Sequence, residues 1–200
     1  MHISDGVLTL EATLAISAVS AYAFYKALKQ LDNSMITLAA VCSAMFFVAS
    51  FIHIPFGLTQ IHLILLGVIG ILLGLYSFVS IFIALLLQAL LLGYGGVASI
   101  GVNLFIMATP ALLIYYIYHH KMFQRLNQKL QFFLVGFLGT FFATLFLTSI
   151  LYFSKEEYEY AAISVFALNG ITMIIEGFVS MFLLLFIQKT YPAILKGKGV

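Results

Sequence analysis

Long apolar stretches make up most of this chain, and they decide what it can fold into. They lie at about residues 7–28, 35–54, 62–92, 101–118, 132–153 and 162–187. About 20 apolar residues are enough for one helix to cross a bilayer. Hydrophobic residues form 64% of the 200 residues and charged residues only 8%, whereas a soluble domain has about 45–50% and about 25%. Because such a chain cannot cover a water-facing surface with polar groups, the sequence predicts an all-α, polytopic membrane helix bundle.

The composition also excludes several classes of protein. The apolar content excludes a soluble enzyme and a disordered chain. A net charge of +2 provides no basic surface for nucleic acid, so no nucleic-acid partner is expected. The single cysteine, Cys42, cannot form an internal disulfide, which excludes a disulfide-rich scaffold. Since no internal repeat or domain boundary is visible, we expect residues 1–200 to form one transmembrane domain.

The stretch at residues 62–92 decides how many spans the chain has. As one helix its 31 residues would be about 46 Å long, which is long for one span and short for two. A break near residues 74–77 gives seven spans. With the N-terminus outside, eight of the nine Lys and Arg residues then lie inside and only Lys155 outside. A single span would remove this bias. The positive-inside rule therefore predicts seven transmembrane helices, an outer N-terminus and a cytoplasmic C-terminus.

This topology brings the chemically distinctive segments to one side of the membrane. The N-terminus, the loop at 55–62, the glycine-rich segment at 93–100 and the acidic loop at 155–159 all lie outside. The first apolar stretch is not expected to be a cleaved signal peptide, because Asp5 precedes it while Lys26 and Lys29 follow it.

Met1 and His2 together offer a compact set of nitrogen donors. The Met1 amine, the His2 amide nitrogen and the His2 imidazole Nδ1 would close two small chelate rings, which hold the three nitrogens in one plane. Planar nitrogen donors suit Ni²⁺ or Cu²⁺, and also low-spin Co²⁺. A fourth donor must come from elsewhere, and His62 on the same side is the natural candidate. The alternative is that His2 is an ordinary polar residue on a short outer tail.

Five segments, spread in order over nearly the whole chain, carry a resemblance. They are Met-His-Ile-Ser-Asp-Gly at 1–6, Pro-Phe-Gly-Leu-Thr-Gln-Ile-His-Leu at 55–63, Gln-Ala-Leu-Leu-Leu-Gly-Tyr-Gly-Gly at 88–96, Gly-Val-Asn at 101–103 and Ile-Glu-Gly at 175–177. The first resembles the Met-His-Ile-x-Asp/Glu-Gly start of the M components of cobalt and nickel energy-coupling-factor transporters, the CbiM/NikM family. The other four resemble the corresponding segments of the same family.

The resemblance implies a substrate-capture subunit with seven spans and an outer N-terminus. Met1 and His2 would supply three nitrogens and His62 the fourth, with transported Co²⁺ or Ni²⁺ as the bound substrate and no other cofactor. The implied partners are cytoplasmic ATPase subunits, a transmembrane coupling (T) subunit and a small accessory membrane (N) subunit. The chain would be a multi-pass protein of a prokaryotic plasma membrane. The choice between cobalt and nickel stays open, because the same nitrogens suit both.

Three positions depart from what the resemblance implies. Family members often carry a His and a Pro before Ile-Glu-Gly, where this chain has Asn169 and Ile171. His53 stands where a small polar residue is expected. Two interpretations of His53 stay open: an extra ligand during metal transit, or a hydrogen-bonded polar residue at a helix end.

Polar side chains inside the spans need partners, because an unsatisfied polar group is costly in lipid. Gln88 and Asn103 flank the glycine-rich segment, and they either orient His2 or His62 or join helices. Glu176, an acid well inside the last span, either orients helices or contacts a partner subunit. His119 and His120 are interpreted as a solvated flank at the inner surface.

Two other functions compete with metal capture by an importer subunit. A self-sufficient secondary carrier would use Glu176 and the histidines to take up protons, and it would need no ATPase. A membrane enzyme would need a nucleophile and base pair, which we do not find, and the Walker-type, His-Glu-x-x-His and Gly-x-Ser-x-Gly motifs are also missing. We therefore expect a transporter subunit without its own ATPase and not an enzyme.

Overall fold

The structure, a computed structural model, describes residues 2–51, 53–56 and 59–196, and at residues 53–56, 59–62 and 196 it describes the backbone alone. The helices of this part of the chain are α1 (Leu10–Gln30), α2 (Asn33–Ala49), α3 (Leu66–Leu73), α4 (Ser77–Leu92), α5 (Ile100–His119), α6 (Gln128–Tyr152) and α7 (Glu159–Thr190). Two strands, β1 (His53–Phe56) and β2 (Thr59–His62), and single 3₁₀ turns complete it.

Each predicted apolar stretch contains a helix, and polar side chains mark where several of these helices begin. The side chains of Thr9, Asp32 and Asn127 accept hydrogen bonds from main-chain N–H groups in the first turns of α1, α2 and α6, as N-cap residues do. Pro110 lies inside α5 without ending it. The helical class predicted from the sequence is therefore confirmed for the elements that build the bundle.

The segment between α2 and α3 differs from the prediction. The span expected at residues 35–54 ends as a helix at Ala49, and residues 53–62 form an antiparallel strand pair. Pro55 has no N–H to give to a helix and biases the preceding residue towards extended backbone. The β-branched residues Ile54, Thr59 and Ile61 also favour strands. The fold is thus helical apart from this short hairpin.

The chain reverses direction between α3 and α4, at the break that the sequence predicts near residues 74–77. Gly74 has φ +53°, a conformation that glycine adopts without steric cost, and it begins a 3₁₀ turn that ends at Tyr76. The Tyr76 hydroxyl donates to the carbonyl of Gln30 at 2.9 Å, so this turn lies beside the end of α1. After α4, Gly95 lies next to Asn103 near the start of α5.

The two ends of the bundle can be named from these contacts. The upper end holds residues 2–9, the loop at 93–99 and the loop at 153–158, since Leu8 and Phe153 line one cavity and Gly95 contacts Asn103 and His2. The lower end holds the α1–α2 turn, the α3–α4 turn and the segment at 191–194, because Ser34, Leu73 and Ile194 line another cavity. This grouping matches the predicted sides for the N-terminus and for the loops around residues 93–100 and 155–159.

Helix α3 is too short to cross a membrane alone. Its 8 residues rise about 12 Å, against about 30 Å of hydrocarbon. Within the described part of the chain, apolar helical segments of 18 residues or more are Ile100–His119, Gln128–Tyr152, Glu156–Thr190 and Leu66–Leu92, the last being α3 and α4 together with the reversal between them. The chain is thus built to lie in a membrane, while seven spans and the orientation of the termini stay predictions.

Small residues let α3 lie directly against the backbones of two neighbours. A Cβ atom at Gly70 would overlap the carbonyl oxygen of Ala111 in α5, and one at Gly67 would overlap the carbonyl oxygen of Val135 in α6. Val68 and Ile69 between them are fully buried. Helix α3 is therefore the central element of the lower half of the bundle.

Candidate metal site

The N-terminal segment, residues 2–5, is held by an amide side chain from the middle of the sequence. Asn103 on α5 accepts a hydrogen bond from the Ile3 N–H at 2.8 Å and donates one to the Ile3 carbonyl at 2.9 Å. Asn103 and Ile3 are each 2% exposed. These two hydrogen bonds satisfy the N–H and the carbonyl of Ile3 and so fix the peptide that follows His2.

Asp5 provides a second attachment for the same segment. Its N–H donates to the Gly95 carbonyl at 3.1 Å, and its carboxylate accepts from the Ser99 N–H at 2.8 Å and from the Ala98 N–H at 3.4 Å. These N–H groups precede α5 and have no partner within that helix. A Cβ at Gly96 would overlap the carboxylate, so only glycine leaves room there.

The hydrogen bonds at Asp5 also affect its ionisation. Bonds from the Ser99 side chain and from the N–H groups of Ser99 and Ala98 hold the pKa of Asp5 below its ordinary value. Hydrogen bonds to the charged form have this direction of effect. The attachment of the N-terminal segment therefore uses Asp5 as a carboxylate.

His2 lies at the upper end of the bundle, where the sequence predicts a metal-binding residue. It is half-buried, and both ring nitrogens are shielded from solvent. Its ring lies 6.1 Å from that of Tyr94, at an interplanar angle of 30°, and its Cβ lies near Gly95. Met1, the predicted source of the amine, lies outside the described residues.

Gln88, at the end of α4, is the buried amide nearest in sequence to this loop. Its main-chain carbonyl accepts from the Tyr94 N–H at 3.2 Å, and the residue is 0% exposed. Among the described residues neither Oε1 nor Nε2 of Gln88 has a hydrogen-bond partner. A buried amide without a hydrogen-bond partner costs about 1–3 kcal/mol. The Gln88 side chain therefore has a donor and an acceptor available for a partner near the loop that contacts His2.

His62 and His53 are neighbours in the hairpin. They are cross-strand partners in the β1–β2 register, at the end of the hairpin that joins the bundle. Neighbouring strands lie about 4.7–4.9 Å apart, so the backbones of the two histidines are close together. The structure thus places the predicted ligand His62 beside His53, the residue for which an extra-ligand role stays open.

Glu176 connects the middle of α7 with the segment that follows β2. The side chain is 0% exposed, and its Oε1 accepts from the N–H groups of Ile64 and Leu65. Its Oε2 also accepts from Leu65, at 3.1 Å. Glu176 therefore orients the start of α3, one of the two roles considered for it from the sequence.

The remaining sequence-predicted positions have partners or exposure of their own. The Asn169 amide donates to the Val165 carbonyl of its own helix at 2.8 Å, and Ile171 is 36% exposed. His119 contacts the Tyr115 carbonyl at the lower end, and His120 follows it there as an exposed residue. No group of three or more His, Cys, Asp and Glu side chains lies together within the described part of the chain. The predicted site is of another kind, because two of its donors are the Met1 amine and the His2 amide nitrogen.

Sequence reasoning missed the role of Asp5. The sequence presents it as part of the N-terminal motif, but its partners at 98 and 99 are more than 90 residues away. The glycines at 95 and 96 gave the available signal, because paired glycines favour a close approach of another segment. Together these observations define a polytopic helical membrane protein whose N-terminal segment is docked by main-chain contacts at one end of the bundle.

A family comparison agrees with this class. A family model described as CbiM, cobalt uptake substrate-specific transmembrane region, matches residues 2–194. The chain belongs to this family. The prediction of a multi-pass membrane protein of this family is confirmed by this membership.

Relatives of known name include transport proteins of two kinds. The cobalt transport protein CbiM of Thermosipho melanesiensis is 30% identical over 94% of this chain and 87% of its own length. The fused nickel transport protein NikMN of Rhodobacter capsulatus is 32% identical over 57% of this chain and 35% of its own length. The chain spans 59% and 50% of the length of two other relatives it matches, from Haemophilus influenzae and Archaeoglobus fulgidus.

A solved structure supports the fold over almost the whole chain. A crystal structure described as a truncated transition metal transporter superimposes with a TM-score of 0.74 at 25% sequence identity. The match covers 94% of this chain and 99% of that one.

Proposed function

We propose that this chain is the metal-capturing membrane subunit of an ATP-driven energy-coupling-factor importer for Co²⁺ or Ni²⁺. The Met1 amine, the His2 amide nitrogen, the His2 Nδ1 and the His62 imidazole hold the metal in a planar, four-nitrogen arrangement. Such an arrangement suits Ni²⁺ and low-spin Co²⁺. The metal is the transported substrate, and the chain carries out no covalent chemistry on it.

The observation that carries this proposal is the attachment of the N-terminal segment. Asn103 binds the main chain of residue 3, and the Asp5 carboxylate binds the main chain of residues 98 and 99. A three-nitrogen chelate at residues 1 and 2 needs a fixed start of the chain, because a mobile tail would lose conformational entropy on binding. The two attachments meet this need at the residues that directly follow the proposed chelate.

Gln88 and Asn103 act next to the ligands in this proposal. Outer partners that orient a ligating histidine commonly change metal affinity by 10–100-fold. Asn103 acts through the peptide that follows His2. The side-chain amide of Gln88 has no hydrogen-bond partner among the described residues, and the Gln88 main chain bonds Tyr94. His53 stands next to His62 in the strand pair and is the substitute ligand if His62 is not the fourth donor.

The partners follow from the family and stay part of the proposal. Two cytoplasmic ATPase subunits and a transmembrane coupling (T) subunit supply the energy, and a small accessory membrane (N) subunit completes the importer. The existence of relatives named as fused NikMN proteins supports the accessory subunit. The competing function, a carrier driven by an ion gradient, predicts Ni²⁺ or Co²⁺ uptake by the chain alone in liposomes with a pH gradient.

Histidine variants test the site directly. In an isothermal titration of the purified chain in detergent, we expect His2→Ala to lose Ni²⁺ binding, because it removes the imidazole donor of the N-terminal chelate. We expect His62→Ala to bind Ni²⁺ much more weakly than the parent, through the three N-terminal nitrogens that remain. His119→Ala and His120→Ala serve as matched controls at the lower end and keep parental affinity. Parental affinity in His62→Ala would show that the fourth donor is misassigned, and His53→Ala would then be the variant to titrate.

A further inference from the structure

Glu176 makes an unusual contact for an acid in the middle of a membrane helix. It lies about halfway along the 32-residue α7 and is fully buried. The contacts of its carboxylate are main-chain N–H groups: Oε1 accepts from Ile64 and Leu65, and Oε2 accepts from Leu65. The acid is therefore bound to a particular point of the backbone more than 110 residues earlier.

That point is where an extended segment turns into a helix. Leu65 has φ +53° and precedes α3 without a side-chain cap. The first N–H groups of a helix have no partner within it, and a negative charge at this end is favourable because of the helix dipole. Glu176 supplies from α7 the cap that the local sequence lacks.

The capped junction begins just after the strand that ends in His62. One residue separates His62 from Ile64, so the two Cα atoms are at most about 7 Å apart. Leu63, Ile64, Leu65 and Leu66 are all buried, at 8%, 1%, 6% and 1% exposure. Once Ile64 and Leu65 are held by Glu176, the end of β2 has little freedom to move relative to α7.

We propose that Glu176 is a positioning residue for the metal site, which holds the β2–α3 junction so that His62 is presented to the metal. This inference rests on the proposed function, because it takes His62 as the fourth donor. It assigns to Glu176 an action through the backbone, with no contact to the metal and no proton transfer. If Glu176 only stabilised the fold, its substitution would weaken Ni²⁺ binding equally with and without His62.

Two substitutions at Glu176 and one control separate these roles. Glu176→Leu removes every acceptor, whereas Glu176→Gln keeps the volume and one oxygen that can still accept from Ile64 and Leu65. Ser180→Ala is the matched control, since Ser180 is buried one turn further along α7 and its hydroxyl has no hydrogen-bond partner among the described residues. If Glu176→Leu does not fold, Glu176→Gln carries the test.

The measurement is a Ni²⁺ titration of the purified full chain, with the visible spectrum recorded alongside. We expect Glu176→Leu to weaken Ni²⁺ binding by about 10–100-fold and to shift the d–d band to longer wavelength, as in His62→Ala, because a weaker ligand replaces the fourth nitrogen. Glu176→Gln should show a smaller effect in the same direction. Ser180→Ala should keep both affinity and spectrum.

The decisive comparison is made in the His62→Ala background. If Glu176 acts through His62, adding either Glu176 substitution to His62→Ala changes Ni²⁺ affinity by less than about twofold. Equal losses with and without His62, or a parental spectrum in Glu176→Leu, would overturn the inference while leaving the proposed function intact. Parental affinity in His62→Ala would instead overturn the fourth ligand of the proposed function, and the inference with it.

Discussion

Two side chains, Asp5 and Asn103, hold the N-terminal segment by binding main-chain groups. Asn103 satisfies both the N–H and the carbonyl of Ile3, and Asp5 caps the approach to α5. The bonds to residues 3 and 98 do not depend on the side chains there, whereas Ser99 also bonds the Asp5 carboxylate through its own side chain. What these contacts fix is the position of residues 3–5 at the upper end of the bundle, and hence the place of the proposed chelate.

The acid at position 5 makes this attachment sensitive to pH. The pKa of Asp5 is lower in the folded chain than in the unfolded chain. The stabilisation that ionised Asp5 gives to the folded state is therefore fully present above the unfolded pKa of about 3.9. It is lost as the pH falls through the lower folded pKa. We expect metal-free Asp5→Asn to have a lower Tm than the parent at pH 7, with a difference that shrinks below about pH 4. Thermal unfolding between pH 3 and pH 7 measures this; a difference that stays constant with pH would contradict it.

Residue types alone predicted only part of this arrangement. A buried amide at Asn103 must find a partner in an apolar bundle, so a role near the glycine-rich segment could be expected. That its partner is the backbone of Ile3, and that Asp5 binds residues 98 and 99, depends on how α1 and α5 pack. Such contacts across about 100 residues leave no periodicity in the sequence.

Among the elements, α3 depends most on close packing. Gly70 lies against the Ala111 carbonyl, so we expect Gly70→Ala to destabilise the chain by about 1–3 kcal/mol and to lower the Tm by about 2–4 °C for each kcal/mol. Gly170→Ala on α7 is the matched control, since a Cβ there meets nothing and alanine favours a helix by up to about 1 kcal/mol. Thermal unfolding in detergent tests both; equal Tm shifts in the two variants would refute the packing of α3.

The helices could be predicted because a helix that crosses the hydrocarbon layer of a membrane needs an apolar stretch of matching length. The reversal at residues 74–77 could also be predicted, since charge placement requires it and Gly74 permits it. The hairpin at residues 53–62 could not, because the apolar run that ends at Ile54 looks like the continuation of α2 and residues 55–62 look like a loop. Only the extended backbone that Pro55 favours signalled the change.

At the scale of the whole molecule, the proposed metal site and the basic residues lie at opposite ends of the bundle. The N-terminal segment, Tyr94 and the glycine-rich loop lie at the upper end, and the basic residues around Lys121 lie at the lower end. Glu176 links the middle of α7 to the hairpin base. In the proposed importer, a tilt of α7 would therefore be transmitted to the β2–α3 junction.

The central claim is that the Met1 amine is itself a metal ligand, and blocking that amine tests this most directly. We expect the parent to purify with Ni²⁺ and the yellow colour of a planar nitrogen site. A chain that keeps a formyl group on Met1 should lose the metal, because the amine becomes an amide while no residue is added before His2. The same chain with the formyl group removed is the control and should bind Ni²⁺ again. Parental Ni²⁺ content in the formylated chain would contradict the N-terminal chelate.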